Sequence, residues 1–475
     1  MPILMLDRSM RYLLLAVTAS VLITVAAPTQ VHAGQIQGSP ATYRSLLGRL
    51  QPGDDLLLES GTYRDGLPLH NMRGTLDRPI RILGPKTGLP AVFVGRNGHN
   101  TVSLSNTAYV HLGHLILDGR SLEVNAVKAE GSKQCVYVHD IALENLLIVR
   151  HGHGQQIVGI SSMCPAWNWI IRRNVILGAG TGLYLGRPDG SAPFVAGLIE
   201  QNLLVDTLGY NLQIKHQTKR KLENGMPSGQ ARTVIRHNVF TKARHASSGS
   251  DARPNLLLGH FPEYGVGSED VYEVTSNIFF CNPGESLLQA EGNLAISRNV
   301  FYNPAGAALA LQPHHGIPRR ILIDSNFVAT PDAAISITKA SRTHPQMISN
   351  NWIFSPIALH GGKQHGNRIG AYPPLDEAFT QWLGTIDSSS MQSETFAPLV
   401  SSIAQMCSGE VTDRLRNIIQ MDDTLRNHPV CKLLELIASS LHQKHPRFTG
   451  PEAAHSQCNW HPARVPNISN TPRLH

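Results

Sequence analysis

The sequence predicts an all-β solenoid in which short parallel strands stack coil upon coil, and three observations carry that prediction. An Asn followed by two or three apolar, often β-branched or aromatic residues recurs at Asn145, Asn174, Asn202, Asn238, Asn277, Asn299, Asn326 and Asn351, at intervals of 29, 28, 36, 39, 22, 27 and 25 residues. Between these Asn lies a second short segment with apolar residues two apart: Val127/Ala129, Val158/Ile160, Leu183/Leu185, Leu212/Ile214, Leu256/Leu258, Leu288/Ala290, Leu309/Leu311 and Ile335/Ile337. Two such strand signals per repeat, broken by Gly, Asn and Pro, are too short for helical repeats. Composition agrees: 41 Gly and 30 Pro in 475 residues, with only 6% aromatic and 16% charged residues, describe a turn-rich folded chain and argue against a coiled coil or a charged disordered one.

In chain order, Arg8 and Arg11 precede the apolar run Tyr12–Ala27, and Val31-His32-Ala33 has the small-x-small form of a cleavage site. Residues 1–33 therefore read as a secretory signal peptide. The alternative, an uncleaved membrane anchor, meets the difficulty that the run is shorter than the roughly 20 residues a span prefers. Once it is cleaved, no later stretch is apolar enough to cross a membrane, so the mature chain is expected to be soluble, monomeric, and secreted or periplasmic. Tyr43, Leu46, Leu47 and Leu50 at helical spacing predict an amphipathic N-terminal helical cap over 34–51, because both ends of a solenoid need covering. The coils are expected over 52–368. Beyond them Phe379/Trp382/Leu383, Leu399/Ile403/Met406, Leu415/Ile418/Ile419 and Leu433/Leu434/Ile437/Leu441 predict a small helical C-terminal region over 369–444, followed by an irregular tail over 445–475.

The recurrent Asn are read as a turn ladder, each amide bonding the backbone or the Asn of the next coil. Six Cys in an exported chain point to disulfides. Cys135 and Cys164 each lie ten residues before a repeat Asn, which stacks them on adjacent coils and predicts a bridge between them. Cys407 with Cys431 is the second expected pair, leaving Cys281 and Cys458 unpaired. The spacings contain no catalytic or metal-binding Cys pattern, and no metal site is assigned.

The repeats, together with the opening Pro52-Gly53-Asp54-Asp55 through Gly61-Thr-Tyr63 and the following Arg78-Pro79-Ile80-Arg81-Ile82, resemble the right-handed parallel β-helix proteins of the pectate-lyase-like superfamily over about residues 52–365. The resemblance implies a right-handed coil and, since many members cleave uronate polysaccharides by β-elimination, a lyase. The chondroitinase B-like and alginate lyase branch uses a strand Lys as base together with an Arg and a calcium ion held by Asn and Glu. Lys215 is similar in placement, but the calcium triad cannot be assembled, so no cofactor is assigned and calcium is left unsupported. The paired Asp of polygalacturonase-type hydrolases and the Asp-Pro-His-Asp element of mannuronan C5-epimerases are also missing.

Registering the coils on their inward pairs lets the outward residues be read as columns. One column is Lys128, Gly159, Tyr184, Gln213, Leu257, Gln289, Ala310 and Ser336; the next holds Glu130, Ser161, Gly186, Lys215, Gly259, Glu291, Gln312 and Thr338, with Arg187, His216, His260 and Lys339 just beyond. Tyr184, Arg187, Gln213, Lys215, His216, His260, Gln289 and Glu291 thus gather on four consecutive coils, and Lys219-Arg220-Lys221 flanks them. A patch of cations, imidazoles and amides suits an acidic polymer, and the net charge of +7 agrees. Nothing in the spacing suggests nucleic acid. β-Elimination needs a base, a proton donor and neutralisation of a carboxylate. Lys215 or His216 is the candidate base and Tyr184 or His260 the candidate acid, while Arg187, Gln213 and His260 are placed to bind the carboxylate and Gln289 and Glu291 to contact substrate. The expected function is a lyase acting on an acidic polysaccharide; a non-catalytic polysaccharide-binding or export component and a C5-epimerase are the alternatives. His151-Gly-His153 and His314-His315 read as loop residues, and Phe261 and Tyr264 either stack on sugars or pack their loop.

Overall fold

The computed structural model describes residues 34–130, 136–242 and 246–372. They form a right-handed parallel β-helix built from three sheets of fifteen, eleven and twelve strands, in which every strand pair is parallel. Each coil contributes one strand to each sheet, as in Ile170–Arg172, Val175–Leu177 and Thr181–Leu185, after which Leu198–Glu200 begins the next coil beside Ile170–Arg172. Inward side chains such as Leu183, Leu212, Leu256, Leu288 and Leu309 stack in one buried row, so neighbouring coils share a continuous core. Among the described residues no helix is long and apolar enough to cross a membrane.

The corner between the fifteen-stranded and the twelve-stranded sheet explains the repeated Asn. At each coil one residue takes a left-handed conformation, for example Arg173 (φ 55°), Gln201 (φ 56°) and His237 (φ 54°), and the residue after it is a fully buried Asn. Asn174 donates both its backbone N–H and its side-chain amide to the Oδ1 of Asn202, each at 3.0 Å. Asn202 does the same to Asn238, and the pattern continues through Asn277, Asn299, Asn326 and Asn351 to Asn367. A left-handed non-glycine residue costs about 1–2 kcal/mol. The ladder offsets this by satisfying the buried amides that a sharp corner would otherwise orphan. Asn145 is an exception to the sequence reading: it takes the left-handed position itself (φ 52°), and Leu146 occupies the ladder position, its N–H donating to Asn174 Oδ1.

Two further expectations need correction. The N-terminal end is not closed by a helical cap: Gln35–Gly38 is a strand that pairs with Asp55–Leu58, and the only helix there is the five-residue turn Tyr43–Leu47. Tyr43 is buried in an aromatic cluster with Tyr63 and Phe93, so its apolar spacing reflects one packed turn. The second correction concerns the column residue Gly159. Ile160 pairs with both Val127 and Leu183, so Ser161 lies between Lys128 and Tyr184, two positions beyond the residue expected there. The signal peptide, Cys135, the predicted C-terminal helices and tail, and Cys407, Cys431 and Cys458 lie outside the described residues. Cys164 and Cys281 are both buried and disulfide-bonded, which removes Cys281 from the expected free thiols.

Three buried histidines set an acid limit on this core. His151, His216 and His237 are each lowered to about 4, first of all by burial. Above pH 6.5 they are neutral in both folded and unfolded chain and contribute nothing. As pH falls from 6.5 towards 4 the unfolded chain takes up protons that the folded one refuses, so unfolding becomes easier. The midpoint of urea denaturation is expected to fall steadily across that window; a midpoint constant from pH 7 to 4 would contradict the burial of these imidazoles.

Candidate functional site

The outward face of the eleven-stranded sheet carries the candidate site. Tyr184, Gln213, Leu257, Gln289, Ala310 and Ser336 are paired rung by rung, as the columns predicted. Over the strands Leu212–Ile214, Leu256–Leu258 and Leu288–Ala290 opens a cleft of about 320 Å³. Its lining extends from the turns before these strands to the residues that follow them. One end is made by residues that precede the strands, Tyr210, Arg253 and Glu285; the floor by Gln213, Leu257 and Gln289; the other end by Lys215, His216, Glu291, His314 and His315.

Lys215 follows its strand at this second end of the cleft, with Nζ 5.8 Å from the centre of the ring of Tyr184, which itself does not line the cleft. Burial lowers its pKa from the usual lysine value, while the negative charge of Glu291 acts in the opposite sense. Tyr184 is pushed up to about 12, chiefly by burial and then by Tyr210, so it keeps its proton at neutral pH. A neutralisable amine and a protonated phenol therefore lie side by side.

His216 is nearly buried and sandwiched between two imidazoles, His315 at 3.9 Å and His260 at 5.4 Å between ring centres. Burial first, then the neighbouring His315, His260 and Lys215, lower it to about 4, so it is neutral at physiological pH. Its Nδ1 is buried without a hydrogen-bond partner. Such close packing requires Gly259, where a Cβ would lie 2.2 Å from the backbone N of His216. His260 is held by its Nδ1 against the carbonyl of Phe261 at 2.7 Å.

Glu291 behaves differently from a free substrate-binding carboxylate. It is 1% exposed and accepts the backbone N–H groups of His260 (3.2 Å), His314 (2.8 Å), His315 (3.0 Å) and Gly316 (2.9 Å). This nest ties two loops together and seats His315 on His216. The fit of a calcium ion fails on the same observation, since Glu291, the carboxylate of the column that lines the cleft, already accepts four backbone N–H groups. Among the described residues, no three His, Cys, Asp or Glu converge to hold a metal ion.

Other sequence candidates separate from the cleft. Arg187 is half-buried but does not line it. Arg220 is no part of a basic rim: its side chain is fully buried and pairs with Asp270 Oδ2 at 2.5 Å and Gln217 Oε1 at 2.6 Å. Phe261 is buried against Tyr272 (4.4 Å), whereas Tyr264 is exposed, and neither lines the cleft. His151 is a buried core residue whose Nδ1 meets the carbonyl of Val124 at 2.7 Å. The column reading missed Tyr210 and Arg253 because it followed only residues on and after the strands, while these occupy the turns before them.

No family model and no curated protein matches the chain. Among solved structures it is similar to an alginate lyase from Paenibacillus sp. str. FPU-7, at 13% identity over 71% of this chain and 99% of that one with a TM-score of 0.36. It is similar to the A-module of the mannuronan C-5 epimerase AlgE6 from Azotobacter vinelandii, at 14% identity over 70% of this chain and 91% of that one with a TM-score of 0.37. It is also similar to a lacto-N-biosidase from Eubacterium ramulus, at 13% identity over 71% of this chain and 68% of that one with a TM-score of 0.35. These likenesses assign no role to any residue of the cleft.

Proposed function

We propose that this chain is an exported lyase that cleaves an acidic, uronate-containing polysaccharide by β-elimination. The observation that carries the reading is the pairing of Lys215, whose pKa burial lowers, with the protonated Tyr184 beside the cleft floor. In this scheme the neutral Lys215 amine takes the proton from C5 of a bound uronate. The electrons left on C5 are delocalised into the C6 carboxylate, where the amides of Gln213 and Gln289 donate hydrogen bonds. The C4–O4 bond then breaks, the C5 electron pair becomes the C4–C5 double bond, and the Tyr184 phenol gives its proton to the departing O4. Proton return from the Lys215 ammonium to the Tyr184 phenolate restores the site. His216, neutral and closed in by its neighbours, shapes the wall of the cleft in this account.

The test is ultraviolet absorbance of the unsaturated uronate end during incubation with alginate, pectate, glycosaminoglycans and bacterial exopolysaccharides. We expect absorbance to rise with one of them, and the rate to climb with pH along a single limb lying below the usual lysine value of 10.5, because only the deprotonated amine is a base. A rate independent of pH from 6 upwards would remove Lys215 as base and point to an imidazole already neutral there. A flat absorbance trace combined with altered C5 configuration in the NMR spectrum of the polymer would replace the lyase with an epimerase.

A further inference from the structure

We infer that Arg253 forms a second anionic subsite at the far end of the cleft, binding the carboxylate of a uronate neighbouring the one at Lys215; this rests on the proposed action on an acidic polysaccharide. Arg253 stands in the turn that precedes the Leu256–Leu258 strand, as Tyr210 does before Leu212–Ile214 on the preceding coil, and both line the cleft. Lys215 lies beside Gly259, just past the other end of the same strand. Leu256 to Gly259 alone spans about 10 Å at the rise of a strand, and Arg253 lies further back, so the backbone positions that carry the two cations are separated by more than one sugar ring.

The turn is built to hold this guanidinium in place. The carbonyl of Arg253 accepts the ammonium of the fully buried Lys242 at 2.5 Å and the amide of the buried Asn282 at 2.8 Å. Nη1 is committed to the carbonyls of Ser250 (2.8 Å) and Ala252 (2.7 Å). Among the described residues Asp251 is the carboxylate within ion-pair range of it, at 4.0 Å and largely exposed. Glu285 shares this end of the cleft, but its Oε1 accepts the N–H of Ser286 at 2.8 Å, and Lys242 lies within its electrostatic reach beneath the turn. Asp251 and Glu285 match Arg253 and Lys242 in number, so it is geometry that favours an anion here: a guanidinium held in place at the cleft pairs well with a planar carboxylate. A substrate bound at both ends must carry acidic groups on successive or near-successive sugars, which favours a contiguous polyuronate over a polymer with isolated charges.

The experiment compares wild type, Arg253→Ala and Arg253→Lys on size-fractionated oligouronates from alginate and pectate, with gel retention by the intact polyuronate, its carboxyl-reduced form and a sulfated polymer without uronates in parallel. Arg253→Ala is expected to raise KM about tenfold or more on long oligomers, as loss of a charged hydrogen bond predicts, and to leave kcat and the shortest cleavable oligomer unchanged; Arg253→Lys recovers part of the loss. Retention should fall for the intact polyuronate only. An unchanged KM, a loss equal at all lengths, or equal retention by the sulfated polymer would overturn the carboxylate subsite. If wild type binds a polyuronate without cleaving it, the lyase reading fails and retention alone decides the subsite; if it binds none, both fall. Both backbone contacts to Arg253 survive these substitutions, and an unchanged melting temperature verifies it.

Discussion

Lys215→Ala is expected to lower turnover on the preferred polyuronate by about 10²–10⁴-fold, the usual range for loss of a positioned general base. The side chain is outward and half-buried, and none of the core's packing depends on it, so the variant should melt with the wild type. Lys215→Arg separates two roles that alanine merges. Arginine keeps the positive charge but does not deprotonate at any working pH. If Lys215 acts as the base, Lys215→Arg is as inactive as Lys215→Ala. If Lys215 only neutralises the carboxylate, Lys215→Arg retains most of the activity. Tyr184→Phe removes the proton donor and should depress turnover without changing polymer retention. Because amine and phenol act as a pair, the double variant should lose little more than the worse single one.

The fold was legible because a solenoid repeats its instructions. The alternation Leu212/Ile214, Leu256/Leu258, Leu288/Ala290 states which faces are buried, and one correct coil propagates to its neighbours. Where a coil offered two equivalent choices, the reading slipped: Val158, Ile160 and Ser162 all point inward, and apolarity alone chose the first pair over the second. The site was legible only in part for a similar reason. Columns of outward residues found Lys215, Gln213, Gln289 and Glu291, since register places them. They could not tell that Glu291 is filled by amides from loops 31 and 23–25 residues away in sequence, or that Arg220 is swallowed by Asp270. Those facts depend on how the connections fold back, and nothing periodic marks them. Arg253 escaped for want of a strand position, although the Pro254-Asn255 pair that follows it signals the turn on which it sits.

Asn238→Ala is expected to destabilise the chain by about 4 kcal/mol, far more than its small change in volume suggests. The Asn238 amide donates to the carbonyls of Ile199 (2.9 Å) and Arg236 (2.9 Å) and to Asn277 Oδ1 (3.0 Å), and its Oδ1 accepts the backbone N–H (3.0 Å) and side-chain amide (2.9 Å) of Asn202. Alanine leaves the Asn202 N–H and the Ile199 carbonyl buried without these partners, at about 1–3 kcal/mol each, and uncouples the corners of three coils. Asn145→Ala is the matched control. Asn145 belongs to the same sequence motif, yet Leu146 takes its place in the ladder, so only the left-handed backbone resists alanine there, at about 1 kcal/mol. Because a solenoid is stabilised chiefly by contacts between neighbouring coils, the lesion at Asn238 should also split thermal unfolding into two stages, one for each side of the break. Equal loss for the two variants in urea titrations, or a single unbroken transition for Asn238→Ala with the wild-type midpoint, would mean that the amide ladder is an ornament of the corner and that apolar stacking alone holds the coils in register.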